Sequence, residues 1–338
     1  MAAHPFVVSR AFFVAVGLLL LSIAVLLSTI SGNAANLEGW NSGAVFLVYL
    51  GTVLGLAGVG FASSAVLEFL ARPKAKDNSD WLQRQVVGLL PAGLLAVVVL
   101  LGVEGLVRGY DIPLAQIPPP SAVLIKLFEA RNVLLRDTNT TLLETFVGFL
   151  IGGSLGMVVA IATQRYPFLE RGLMPYATLF SSVPIVAVAP IIIRIMGVDW
   201  QSKAVVVAIT VFFPMLLNTA RGLAEVSPLH LDLMRSYAAN SQRTFLDLRI
   251  PNAMPFIFTG LKTGAVLGLI SAIVAEFFGA NGSGLGFRIV VEIGTVSLDT
   301  VWAAIVVASF LGITVYNLLA LLERRVTGWH SSFRADVQ

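Results

Sequence analysis

The chain contains no cysteine and only three histidines, His4, His230 and His330, scattered over 338 residues. Without cysteine there are no disulfides, no thiolate-bound zinc and no thiol nucleophile, and the redox compartment cannot be read. Three isolated histidines offer no metal-ligating cluster. Charge is also scarce. Asp, Glu, Lys and Arg make up 12% of the chain, half of the roughly 25% carried by an ordinary soluble domain. A nucleotide-binding P-loop is missing as well: Gly282–Gly286 (GSGLG) lacks its lysine and any preceding strand, and reads as a flexible turn.

What replaces the charge is apolar. Hydrophobic residues reach 57% and the mean hydropathy is +0.87. They fall into blocks of about 20 residues or more, the length a helix needs to cross about 30 Å of hydrocarbon. A chain in lipid must satisfy its own backbone, so these blocks are expected to span as helices. The net charge of +3 and pI near 9.3 do not indicate nucleic acid, because the basic residues sit at the ends of apolar blocks rather than in one patch.

Eight blocks are expected: Ala11–Ile30, Gly43–Leu70, Val86–Val107, Leu142–Ala162, Leu173–Ile193, Ala204–Leu223, Ala253–Phe278 and Val301–Leu322. The first has too long an apolar core for a cleaved signal peptide and is read as a retained helix. The second carries Gly51, Gly55 and Gly58, suited to close helix contact. The polar stretch Arg72–Arg84 reads as a cytoplasmic linker. Between the third and fourth blocks, IPPPSAVLIKLF from Ile117 predicts a short external helix with Ser121 as its N-cap. With the N-terminus inside, fourteen Lys and Arg fall on cytoplasmic segments, seven fall outside, and Lys262 lies in or near a span. This favours both termini in the cytoplasm. The domains are then an N-terminal transmembrane hairpin (1–75), a linker (76–85) and a six-span unit (86–330).

The least membrane-like stretch, Glu225–Pro255, lies between the sixth and seventh spans on the cytoplasmic side. Ser227-Pro228 predicts a helix start with Ser227 capping and proline at the first position. Leu229, Leu233 and Tyr237, with Leu231, Met234 and Ala238, follow helical spacing and predict a short amphipathic helix. A second turn is expected over Ser241–Leu248, with Pro251 and Pro255 setting the start of the next span. On composition alone this is equally an ordinary solvated loop.

The residues also carry a resemblance. The loop resembles the EAA loop of permeases of binding-protein-dependent ABC importers, whose pattern is Glu-Ala-Ala, three residues, Gly, nine residues, then Ile-x-Leu-Pro. Asp232-Leu233-Met234 stands at the Glu-Ala-Ala, Ala238 at the Gly, and Leu248-Arg249-Ile250-Pro251 closes the pattern. Phe213-Pro214-Met215-Leu216-Leu217-Asn218-Thr219 resembles the FFP-x-LLNT run of the nitrate/sulfonate/taurine-type subfamily. Ala275-Glu276-Phe277, Gly282–Gly286 and Pro118–Val123 are similar to its AE(F/M), GLG and L-P-x-P-x-x-V signatures. The resemblance runs from about Gln83 to Trp329 and leaves the N-terminal hairpin outside.

It implies an all-α membrane protein with a six-helix type I permease core behind an extra hairpin. It further implies an inner-membrane subunit that is not itself an enzyme and binds no cofactor, with ATP and Mg used by a partner ATPase. An extracytoplasmic substrate-binding protein and a second permease copy, as a homodimer, are the other implied partners. Asp232, Leu233, Arg235, Ser236, Tyr237, Ala238, Ala239, Asn240 and Pro251 would form the ATPase contact. The implied solutes are small organic or oxyanionic: nitrate, sulfonates, taurine, or heterocycles such as thiamine pyrimidine precursors or riboflavin.

Polar residues and prolines inside spans mark a candidate pathway. Glu276 is a pathway residue or a helix-pairing carboxylate. Asn218 and Thr219 line a gate or bond between helices, and Pro184 and Pro190 kink the fifth span. Glu68, Glu104 and Glu144 are expected at the interface. Two competing classes are an ion-gradient-driven secondary transporter, which would show inverted repeats and charged midplane sites, and a membrane enzyme, which would need a convergent His/Asp/Glu constellation. Neither feature is evident in the sequence.

Overall fold

The computed structural model describes residues 80–328. The first two apolar blocks, the Gly51/Gly55/Gly58 stripe and Glu68 lie outside the described residues. Among those described, every regular element is a helix. The helices are α1 (Asp80–Gly109), α2 (Pro120–Glu129), α3 (Arg131–Arg165), α4 (Pro167–Ser181), α5 (Ile185–Met196) and α6 (Trp200–Ala224). They continue with α7 (Pro228–Ser236), α8 (Ser241–Arg243) running into a π-helical turn (Thr244–Arg249), α9 (Ile250–Phe278), α10 (Leu285–Gly294) and α11 (Leu298–Val326). The described residues divide into two compact units, 80–128 with 296–299, and 129–295 with 300–328.

In the first unit α1 covers the expected third block and begins at Asp80, inside the expected linker. Helix α2 forms where a short helix was expected, but Ser121 is not its cap. Pro120 takes the first helical position, and the Ser121 hydroxyl donates instead to Glu104 at 2.7 Å. Glu104 is correspondingly not an interfacial carboxylate. It is 3% exposed, paired with Arg108 and reached by the Ser121 backbone N–H at 2.9 Å. A buried carboxylate needs such partners, because transfer from water without them is costly.

The second unit is organised by α3, α6 and α9. Along α3, Gly148, Gly152 and Gly156 recur every four residues and so share one face. A Cβ at each would lie 2.4 Å from the carbonyl oxygen of Ala204, 2.2 Å from that of Ala208 and 2.6 Å from that of Phe212. The two backbones therefore touch, and the contacts advance together, so α3 and α6 run parallel. Close approach through small residues is how helices associate where lipid offers no hydrophobic gain. Helix α9 runs the opposite way. Gly260 faces Met215 and Pro214, Gly264 faces Val211, and Gly268 faces Val211 and Val207. Val207, Val211 and Met215 of α6 fill the space between α3 and α9 as a buried core.

Parallel α3 and α6 require the chain between them to return to its starting side. Helices α4 and α5 do this. Ala177 of α4 packs with Ala160, Leu216 and Ala220 near the C-terminal ends of α3 and α6. Ala189 and Ile193 of α5 pack with Val206 and Ala275 at the opposite end. The expected single kinked span Leu173–Ile193 is corrected here: it is two helices bent by 96°. Pro184 does not kink a continuous helix. It caps α5 with extended backbone (φ −64°, ψ 119°), lacks an N–H, and disfavours helix at the preceding residue. The last turn of α4 tightens accordingly, with Val183 N–H bonding Phe180 O at 3.1 Å. Pro190 lies inside α5.

By length and composition α3, α6, the segment Ser241–Phe278 and α11 can each cross a membrane, and the α4–α5 pair adds a fifth broken crossing. Lys262, left near a span by sequence, donates to Glu323 of α11 at 2.6 Å and lies over the Tyr316 ring. We predict that Gly152→Leu, which drives a side chain into the Ala208 backbone, destabilises by about 3 kcal/mol or more. Gly153→Ala, whose nearest neighbour is 3.8 Å away, should stay within about 0.5 kcal/mol of the parent. Thermal melting of the detergent-purified chain checks both.

Candidate functional site

Two features stand at opposite ends of the α3–α6–α9 core. The first is the loop from Glu225 to Arg249. Pro228 occupies the first turn of α7, as its fixed φ favours, but the Ser227 side chain makes no capping bond, so the expected cap is corrected to a proline-only start. Leu231 and Met234 are half-buried, whereas Leu229, Leu233 and Tyr237 form an outward stripe at 74%, 51% and 76% exposure. Asp232 and Arg235 pair on the surface at 3.0 Å, and the Ser236 hydroxyl donates to Leu233 O.

The helix then stops in a defined way. Ala239 N–H bonds Met234 O at 3.0 Å and Ala238 N–H bonds Arg235 O at 2.9 Å, the paired closing bonds of a Schellman turn. Such a turn needs a left-handed residue, and Ala238 has φ 52°. This is the position at which the EAA pattern carries glycine, so the departure from that pattern falls on a residue whose backbone still adopts the glycine conformation. Asn240 caps α8, its side chain accepting the Arg243 N–H at 2.8 Å. Pro251 sits in the first turn of α9.

At the other end lies a buried polar cluster. Glu276, 1% exposed, accepts from the Thr141 hydroxyl at 2.6 Å and from the Gly286 N–H at 2.5 Å. Thr141 in turn accepts the Leu285 N–H at 2.9 Å. Asp137 accepts from Gly284 N–H at 3.2 Å and from Arg288 Nε at 2.8 Å. Burial alone would lower the Arg288 pKa, but the bonds and charges of Asp137 and Glu292 outweigh it and raise it above its usual value. The GSGLG segment is therefore not a flexible turn. A Cβ on Gly284, at φ 127°, would lie 2.5 Å from the Glu276 carboxyl carbon, and one on Gly286 would lie 2.2 Å from Ile273 O. Only glycine lets this backbone close on the carboxylate.

Glu144 is also corrected. It is 2% exposed, and its carboxyl lies beside that of Glu276, with the Lys203 ammonium acting on both. Lys203 is 1% exposed and donates to the carbonyls of Val198 and Asp199. Sequence reading missed Asp137, Thr141, Lys203 and Arg288. The available signal was the four-residue rhythm of Asp137, Thr141, Gly148, Gly152 and Gly156 along one helix face.

The remaining candidates are dispersed. Asn218 folds onto its own helix, donating to Pro214 O at 2.8 Å. Thr219 is 1% exposed and its hydroxyl pairs with no described group. Neither joins the Glu276 cluster, nor do Pro184 and Pro190. Among the described residues no group of His, Asp and Glu is placed to hold a metal.

With this geometry in hand, comparisons give a consistent answer. The profile described as "Binding-protein-dependent transport system inner membrane component" matches residues 152–328, more than half of the chain. The chain is similar to the riboflavin transport system permease protein RibX of Chloroflexus aurantiacus (28% identical; 72% of this chain, 90% of the relative). It is also similar to the putative aliphatic sulfonates transport permease protein SsuC of Escherichia coli (28%; 75% and 95%). A third relative is the formylaminopyrimidine transport permease protein ThiX of Halalkalibacterium halodurans (26%; 63% and 85%).

We predict that Glu276→Ala strands the Thr141 hydroxyl and the Gly286 N–H and costs about 1–3 kcal/mol for each. Gly284→Ala should destabilise in the same direction. A melting temperature for Glu276→Ala equal to that of the parent would show that the cluster does not hold this loop.

Proposed function

Since the chain belongs to the family of inner-membrane components of binding-protein-dependent transport systems, we propose that it forms the solute pathway of an ATP-driven importer and receives its drive through the loop 225–249. The observation that carries this reading is the outward Leu229/Leu233/Tyr237 stripe on a helix closed by a Schellman turn at Ala238. A short helix with an apolar stripe flanked by Asp232, Arg235 and Ser236 suits a groove on a partner protein. That partner is a separate ATPase subunit, which binds ATP and Mg and performs the hydrolysis. Asp232 through Asn240 form the contact, and Pro251 starts the helix that transmits it.

The loop lies on the cytoplasmic side, so the GSGLG end faces outward and both termini lie inside. There an extracytoplasmic binding protein delivers the solute. A homodimer of this chain encloses the pathway. Its wall includes the α4–α5 bend at Pro184 and Pro190, and the segment of Asn218 and Thr219 nearer the cytoplasm. Glu276 serves the pathway by fixing the outer loop. The named cargoes of the relatives, riboflavin, sulfonates and a formylaminopyrimidine, support a small organic or oxyanionic solute.

Two measurements test the reading. Tyr237→Ala is expected to weaken ATPase co-purification by roughly 30-fold, the cost of losing an aromatic anchor worth about 2 kcal/mol. Ala238→Gly should preserve the complex, and Ala238→Val should impair it because a branched side chain resists φ > 0. Solute uptake by the purified chain with no ATPase present would overturn the proposal.

A further inference from the structure

The loop that faces the ATPase is tied back to the membrane helices by Asn252, just beyond the EAA pattern, and by Arg249, at a position the pattern leaves unspecified. Asn252, in the first turn of α9, donates through Nδ2 to Glu225 O at 2.6 Å and to Gly222 O at 3.3 Å. These are carbonyls from the last turn of α6, which has no further helical residue to satisfy them. Arg249 Nη1 reaches Leu223 O of the same turn at 3.4 Å and Gln164 Oε1 at 2.7 Å. Gln164 lies at the end of α3. The helix ends also meet closely, since a Cβ on Gly222 would lie 3.0 Å from Ala253 Cα.

We infer that Asn252, with Arg249, is a latch that joins the ends of α3, α6 and α9 into one plate, so that force arriving through α7 moves three spans together. The inference rests on the coupling role proposed above. The geometry argues for it directly. A hinge at the start of α9 would let the loop swing while α6 stayed still. The Asn252 bond closes that hinge, because the residue entering the loop (Glu225) and the residue leaving it (Asn252) are bonded to each other. The π-helical turn Thr244–Arg249 runs into the latch and ends on its residue Arg249, a geometry found mostly as single turns at functional sites. Asn252 and Arg249 are positioning residues; neither belongs to the exposed stripe.

The test uses the assembled complex of this chain, its ATPase and its binding protein in proteoliposomes, reading solute moved per ATP hydrolysed. Asn252→Ala removes the donor, and Asn252→Asp places a carboxylate against two carbonyls. Both are expected to assemble and hydrolyse ATP as the parent does while transport per ATP falls roughly tenfold, the scale of one lost pair of hydrogen bonds. Arg249→Met, which keeps the aliphatic stem, should move the same ratio in the same direction and replaces Asn252→Ala if that variant fails to fold. An unchanged ratio in assembled Asn252→Asp and Arg249→Met complexes would overturn the latch. Loss of ATPase binding in the variants alone would also overturn it, by showing that the two residues shape the docking loop instead. A parent chain that recruits no ATPase would sink the coupling reading itself.

Discussion

Backbone against backbone, α3 lies on α6 through Gly148, Gly152 and Gly156, and the arrangement of the second unit follows from that contact. Carbonyl oxygens of Ala204, Ala208 and Phe212 occupy the space where side chains would stand. Dispersion falls steeply with a gap of even half an ångström or so, so this face tolerates neither enlargement nor a slip by one residue. Its register fixes the parallel direction of the two helices. That direction obliges α4 and α5 to carry the chain back, and it leaves the C-terminal ends of α3 and α6 side by side. The antiparallel α9 then starts where those ends meet and finishes beside Thr141 and Lys203.

The two ends of this core use polar groups in opposite ways. At the Glu276 end they point inward: carboxylates of Asp137 and Glu276 receive hydroxyl, guanidinium and backbone donors in a site closed to water. Low local polarity strengthens each such bond and makes each unmade one costly, which produces a rigid closure. At the Glu225 end the inward polar contacts are few and capture helix-terminal carbonyls, while apolar side chains point outward. One end is thus built to hold a loop still and the other to present a surface.

Much of this was legible in the sequence, and the failures are specific. Hydropathy located the helices because lipid imposes one rule on every span. Proline marked a kink in Leu173–Ile193, but hydropathy could not show that the kink is a break of 96°, which is a matter of backbone donors. Depth was equally invisible: Glu144 sits early in its apolar block, yet α3 begins at Arg131, so a residue near the block edge is well inside the helix. Ser121 and Ser227 both have the side chains of caps, but Ser121 follows Pro120 into its helix, and Ser227, though it holds the cap position before Pro228, makes no side-chain capping bond. The Ala238 departure from glycine was legible only as a mismatch, because φ is not written in residue type. Asn252 was missed for the same reason as Lys203: its partners are carbonyls, which carry no sequence signal.

The paired charges restrict how the core can move. Lys262 holds Glu323 of α11, and Arg288 holds Asp137 of α3. Breaking either pair would strand a largely buried charge at a cost of several kcal/mol. Motions that preserve these pairs are rigid displacements of joined helices rather than the independent swing of one. The bend at Pro184, where α4 and α5 meet with no helical bond across the break, is the natural place for such a displacement to be absorbed. The Pro184 break and the π-helical turn Thr244–Arg249 both interrupt regular α-helical bonding, so displacement of helices joined by such pairs falls to joints of this kind rather than to the pairs themselves.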